Sequence, residues 1–176
     1  LHSARELLLD PEAMLLGYER EVDLCAVLSK LAEVHRPQLQ RNGRKLIIED
    51  NLDEPRISGE PKLLSEMFEG LLGASLSATP PDTNIAVSLE PLDRQTVEIV
   101  YRDQGRPMSD RVRHKLFGGA DEIFGELDPR AEFEPDAARD TVEALSLCSM
   151  IVEAHGGVMR AEGDDTGRCF RIHLPR

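Results

Sequence analysis

The sequence predicts an α/β two-layer sandwich, a mixed β-sheet with three main helices on one face. Three observations predict it. Apolar residues recur at helical spacing near 24–38, 61–79 and 141–155. They alternate with polar residues around 85–89, 97–101, 158–162 and 169–174. Turn residues between these last segments join them into two antiparallel hairpins, and helices interleaved with such strands favour one sheet with helices laid on it.

The first helix is marked by Leu24, Val27, Leu28, Leu31 and Val34, and Pro37 with Asn42-Gly43 ends the pattern, so it runs to about Pro37 or a little beyond. Lys45–Glu49 and Arg56–Ser58 read as short strands separated by turn residues. Pro61 stands where a first helical residue is tolerated, and Leu63, Leu64, Met67, Phe68, Leu71 and Ser75 then face inward until Thr79-Pro80-Pro81. Ile85, Val87 and Leu89 form one strand; Val97, Ile99 and Tyr101 form its hairpin partner, which ends at Asp103-Gln104-Gly105. Residues 118–139 are acidic and aperiodic and read as a mobile excursion. Val142, Leu145, Cys148 or Ser149, and Val152 mark the third helix, closed by His155-Gly156-Gly157 with Gly156 as left-handed cap. The final hairpin turns at Asp164-Asp165-Thr166-Gly167.

A chain of 176 residues is the size of one domain. With 31% charged residues, 4% aromatic and no Trp, it is globular in usage and its core must be aliphatic. A formal net charge of -12 opposes nucleic acid and anionic lipid as partners. The densest basic group, Arg111, Arg113, His114 and Lys115, reads as a solvated helix face. Cys25, Cys148 and Cys169 form no CxxC pair, which points away from zinc and disulfides and towards a reducing cytoplasm. No apolar run approaches the ~18 residues of a membrane span, so direct membrane contact is not expected. The chain opens on Leu1 without Met, which suggests a fragment. Its apolar segment from Leu7 to Leu16 reads either as the remnant of a helix whose partner is missing or as an element packed on this domain's own core.

Three short motifs then come in a particular order: Val22-Asp23-Leu24 before the first helix, Ser58-Gly59-Glu60-Pro61-Lys62-Leu63-Leu64 before the second, and Glu153-Ala154-His155-Gly156-Gly157 followed by Thr166 to Pro175 at the end. In order and spacing they resemble the GHKL-type ATPase domain of bacterial sensor histidine kinases from about Val22 onwards. The resemblance implies that residues 1–20 are the remnant of a dimerisation helix and linker, and that 21–176 are the ATPase-like domain. It also implies a phospho-accepting histidine and a dimerising helix pair upstream of Leu1, and a response regulator or phosphotransfer protein as partner.

Phosphoryl transfer needs adenine held, Mg²⁺ bound and the phosphates cradled. The resemblance assigns adenine to Asp103 and Gly105, a pattern that is also an ordinary turn after a strand. The second glycine of that motif is Pro107. At the metal position the family's Asn-Leu-Leu-x-Asn-Ala is Gly70-Leu71-Leu72-Gly73-Ala74-Ser75, so Ala74 offers no oxygen, Gly70 replaces the first Asn, and Ser77 stands where a basic residue reaches phosphate. The two helical glycines read as drift or as room for a close neighbour.

The family's phosphate nest, Gly-x-Gly-x-Gly, corresponds to Asp140-Thr141-Val142-Glu143-Ala144. Val142 resists positive φ, and Asp140 and Glu143 would each oppose the triphosphate by of order 3 kcal/mol before screening. The segment reads as an ordinary helix start with Asp136 or Asp140 as N-cap.

The expectation is a degenerate ATPase domain acting in two-component signalling as a regulatory, docking or phosphotransfer-supporting module, with no cofactor, no metal and no catalytic residue. The alternative is the nucleotide-binding domain of an active kinase, with ATP and Mg²⁺. No Ser/His/Asp or Cys/His arrangement is visible, and His35, His114, His155 and His173 read as surface or cap residues.

Overall fold

The computed structural model describes residues 20–117, 136–164 and 166–176. In chain order the elements are β1 (Glu21–Asp23), α1 (Leu24–Arg41), β2 (Lys45–Asp50), β3 (Arg56–Ser58), α2 (Pro61–Ala78), β4 (Asn84–Pro91), β5 (Thr96–Asp103), α3 (Asp110–Phe117), α4 (Asp136–Ala154), β6 (Val158–Asp164) and β7 (Gly167–Pro175). The main sheet has the order β2-β4-β5-β7-β6, with β2 and β4 parallel and the other pairs antiparallel. Helix α2 supplies the crossover that a parallel pair needs. β1 and β3 pair separately.

Strand alternation decides which side chains meet the helices. Ile85, Val87, Leu89, Val97, Ile99, Tyr101, Phe170, Ile172 and Leu174 are buried in one core with Leu64, Met67, Phe68 and Leu71 of α2 and Leu145, Cys148, Ile151 and Val152 of α4. Intervening residues carry charge: Arg171 pairs with Glu98 at 3.1 Å and Glu162 at 3.2 Å, and His173 reaches Glu98 at 3.1 Å. Burial works to raise the Glu98 carboxyl, but hydrogen bonds and charge from His173 and Arg171 outweigh it and hold the group low.

The caps follow sequence chemistry. Asp23 accepts from the Ala26 N–H at 2.9 Å, Pro61 opens α2, and Gly156 has φ +71°. The end of α2 has no basic residue in its own last turn; instead the buried Arg44 donates to the carbonyls of Pro80, Leu76 and Thr79. A cation there also complements the helix dipole.

Helix α1 runs through Pro37 to Arg41 and is capped by Asn42, a little beyond the proline as the sequence allowed. Leu39 beyond the proline is buried, and its carbonyl accepts from Arg44 N–H, so burial and a satisfied helix end outweigh the hydrogen bond that proline omits. β1 is too short to show periodicity, and α3 turns Val112, Leu116 and Phe117 towards the core among its polar residues. Helix α4 begins at Asp136, ahead of the start expected near residue 141; of the two expected N-caps, Asp136 stands at the helix start as its first helical residue and Asp140 is interior. Residues 136–139 therefore leave the expected excursion for the helix; its remaining residues, 118–135, and the expected N-terminal remnant up to residue 19 lie outside the described residues.

The two glycines of α2 differ. A Cβ on Gly70 would lie 2.8 Å from Cys148 Sγ, whereas one on Gly73 would meet nothing within 4 Å. Gly70 is the room for a close neighbour, and Cys148 donates to the Met67 carbonyl at 3.2 Å, so it cannot shift freely. Gly73→Ala is expected to stabilise the protein by about 1 kcal/mol through helix propensity. Gly70→Ala is expected to destabilise it by about 1–2 kcal/mol, since overpacking exceeds that gain. Urea unfolding of the two variants separates them by sign.

Candidate functional site

Asp103 ends β5 and Arg168 opens β7, and the two are direct cross-strand partners. Both occupy inward positions, Asp103 in register with Tyr101 and Arg168 with Phe170, so pleating carries an acid and a base onto the apolar side of the sheet. Their side chains are 0% and 3% exposed. At that burial a lone charge is not tolerated, and the pair is satisfied as a fork: Arg168 Nε donates to Asp103 Oδ1 at 2.9 Å and an Arg168 terminal nitrogen to Oδ2 at 2.6 Å.

Two further donors complete the carboxylate. Gly105 N–H donates to Oδ1 at 2.8 Å, closing Asp103-Gln104-Gly105 as a turn, and the Ser75 hydroxyl of α2 donates to Oδ2 at 2.6 Å. A carboxylate has about four acceptor positions, and here four hydrogen bonds from the chain itself use them. Tyr101 O–H in turn donates to Ser75 Oγ at 3.0 Å. Burial raises the tyrosine hydroxyl far above its ordinary value, which keeps it a donor. A Cβ at Gly105 would lie 2.8 Å from Arg168 Nε, so only glycine lets the turn close over the ion pair. The Arg168 guanidinium also lies 5.5 Å from the Phe170 ring centroid and donates to the Ala74 carbonyl at 3.3 Å.

The fold thus brings three sequence-predicted positions, Asp103, Gly105 and Ala74, around one side chain, Arg168, which sequence reasoning passed over. Ala74 is itself buried. Gly70 lies one turn earlier, against Cys148 and the Ala144 carbonyl, while Ser77 is exposed. Val142 packs half-buried on the core, Glu143 is exposed, and Asp140 to Ala144 run as continuous helix. Only the first four N–H groups of a helix, counted from its N-cap, lack an internal acceptor, and in α4 all of these precede residue 139. The amides from 140 to 144 are committed to the helix and form no nest. Among the described residues no three of His, Cys, Asp and Glu cluster to hold a metal.

His155, read as a surface or cap residue, does end α4 but is buried. Its Nδ1 lies 2.7 Å from the Ile151 carbonyl and its Nε2 accepts from Glu60 N–H at 3.1 Å, an arrangement that fits only the neutral ring. Burial lowers its basicity to match. The side chain ties the end of α4 to the start of α2 and has no free nitrogen for chemistry.

The signal for Arg168 was present in the sequence. Phe170, Ile172 and Leu174 define the inward side of the last strand, and counting back by two reaches Arg168. A base on an apolar stripe needs a buried acid, and the same count along β5 reaches Asp103.

The family model described as histidine kinase-, DNA gyrase B- and HSP90-like ATPase matches residues 59–176. The chain is 26% identical over 154 residues to the sensor protein VanS of Enterococcus faecium, a match covering 88% of this chain and 38% of that protein. It therefore spans well under half the length of that relative. Among solved structures it is similar to the nucleotide-free catalytic domain of histidine kinase ThkA, with a TM-score of 0.71, 17% identity and coverage of 89% of this chain and 94% of that one. It is also similar to ThkA in complex with the response regulator TrrA, with a TM-score of 0.67, 17% identity and coverage of 89% of this chain and 41% of that one.

Proposed function

Because the chain belongs to the histidine kinase-, DNA gyrase B- and HSP90-like ATPase family, we propose that it serves two-component signalling as a degenerate histidine-kinase ATPase domain that does not hold Mg²⁺-ATP. Its role is then regulatory, docking or phosphotransfer-supporting. The observation that carries this reading is the filled carboxylate: every acceptor position of Asp103 is taken by Arg168, Ser75 and Gly105. Ala74 without a ligand oxygen and a continuous helix at 140–144 support it from the metal and phosphate sides. The residues present do not fit the group that the family binds, and no transfer step is assigned to them.

A response regulator or phosphotransfer protein is the partner that this reading carries, as the ThkA complex illustrates for a relative of the same fold. Residues 1–20 then belong to a dimerisation helix and linker, and the domain works on the cytoplasmic side.

Titration calorimetry with Mg²⁺ and a non-hydrolysable ATP analogue is the test. The expected affinity is millimolar or weaker, about 4 kcal/mol short of micromolar binding. Micromolar affinity of the wild-type domain would instead establish the alternative, a nucleotide-binding domain of an active sensor kinase.

A further inference from the structure

We infer that Arg168 is the specificity-determining residue of this site: its guanidinium sits in place of the nucleobase and excludes it. The inference rests on the reading above that Asp103 stands at the adenine position. Arg168 supplies what a bound aminopurine would supply there. It is flat, it presents N–H donors to both oxygens of Asp103, it adds a donor to the Ala74 carbonyl, and it lies 5.5 Å from the Phe170 ring.

The competition is unequal. Arg168 is tethered at the first rungs of β7, opposite Asp103, so its association costs no translational freedom, whereas a free base must bear that cost. A base entering would also have to strand a guanidinium that is 3% exposed. Truncating Arg168 at Cβ removes the occupant and leaves a polar cavity edged by Asp103, Ser75, the Ala74 carbonyl and Phe170.

The experiment is binding of adenosine, which lacks phosphates, to the wild-type domain and to Arg168→Ala, followed by calorimetry and by the thermal midpoint. The expected result is no saturable binding to the wild type and an affinity for Arg168→Ala at least about tenfold tighter, abolished by low-millimolar methylguanidinium, which refills the site. If Arg168→Ala is unfolded alone, methylguanidinium or adenosine is expected to restore its circular-dichroism signal. Equal binding by both proteins overturns the inference, as does a folded Arg168→Ala that ignores adenosine, or an unfolded one that neither ligand restores. Micromolar Mg²⁺-ATP binding by the wild type would sink the functional reading, whereas an Arg168→Ala protein indifferent to adenosine sinks only this one.

Discussion

Asp103→Ala is expected to cost the domain about 3–5 kcal/mol, because removing one partner of a buried ion pair leaves the other charge uncompensated. Among the described residues Arg168 would keep only the Ala74 carbonyl as a protein acceptor, at 3.3 Å, and the hydroxyl of Ser75 and the amide of Gly105 would lose theirs. Since a whole domain has only about 5–15 kcal/mol of stability, the variant should melt far below the wild type or be partly unfolded at room temperature. Asp103→Leu/Arg168→Met, which removes both charges and keeps apolar volume, should lose less than Asp103→Ala alone. Urea unfolding of the three proteins measures this. A loss under about 1 kcal/mol for Asp103→Ala would mean that water solvates Arg168 and that the pair is not structural.

Ala74→Asn, the substitution that would put an amide at the position that the proposed reading assigns to the metal, is expected to fail twice. Ala74 is 2% exposed, so a larger side chain there has to be accommodated inside the packed core and its amide has to find partners there. Overpacking and an unsatisfied buried amide together should cost about 2–4 kcal/mol. Binding of Mg²⁺-ATP should stay millimolar or weaker, because Arg168 still covers Asp103 and the amides of 140–144 remain helical. Denaturation and calorimetry on the same preparation read both outcomes. A stable Ala74→Asn protein with micromolar affinity would show that the metal position is open and that its missing oxygen was the main deficit.

Much of the fold was legible because its signals are local. Helical spacing marked α1, α2 and the second half of α4, alternation marked the strands of both hairpins, and Pro61, Asn42-Gly43 and Gly156 marked helix ends. Where local signals left two readings open, a longer-range contact decided between them. Helix α1 continues past Pro37 to the Asn42-Gly43 signal because buried Leu39 lies between, and Gly70, drift or room for a neighbour, is the point where α2 meets Cys148 of α4.

For the proposed site, the sequence by itself determined which side chains stand at the positions that the resemblance assigns to metal and phosphate. The lack of an oxygen-bearing side chain at Ala74 and of glycines from Asp140 to Ala144 is a matter of residue identity, and no folding changes it. What became of Asp103 only the tertiary structure decided. Its four acceptor positions are filled by Gly105 two residues on, by Ser75 twenty-eight residues before it and by Arg168 sixty-five residues after it. Whether a carboxylate is free to receive a ligand depends on which donors surround it in space, and strand pairing and helix packing, not proximity in sequence, brought Arg168 and Ser75 there.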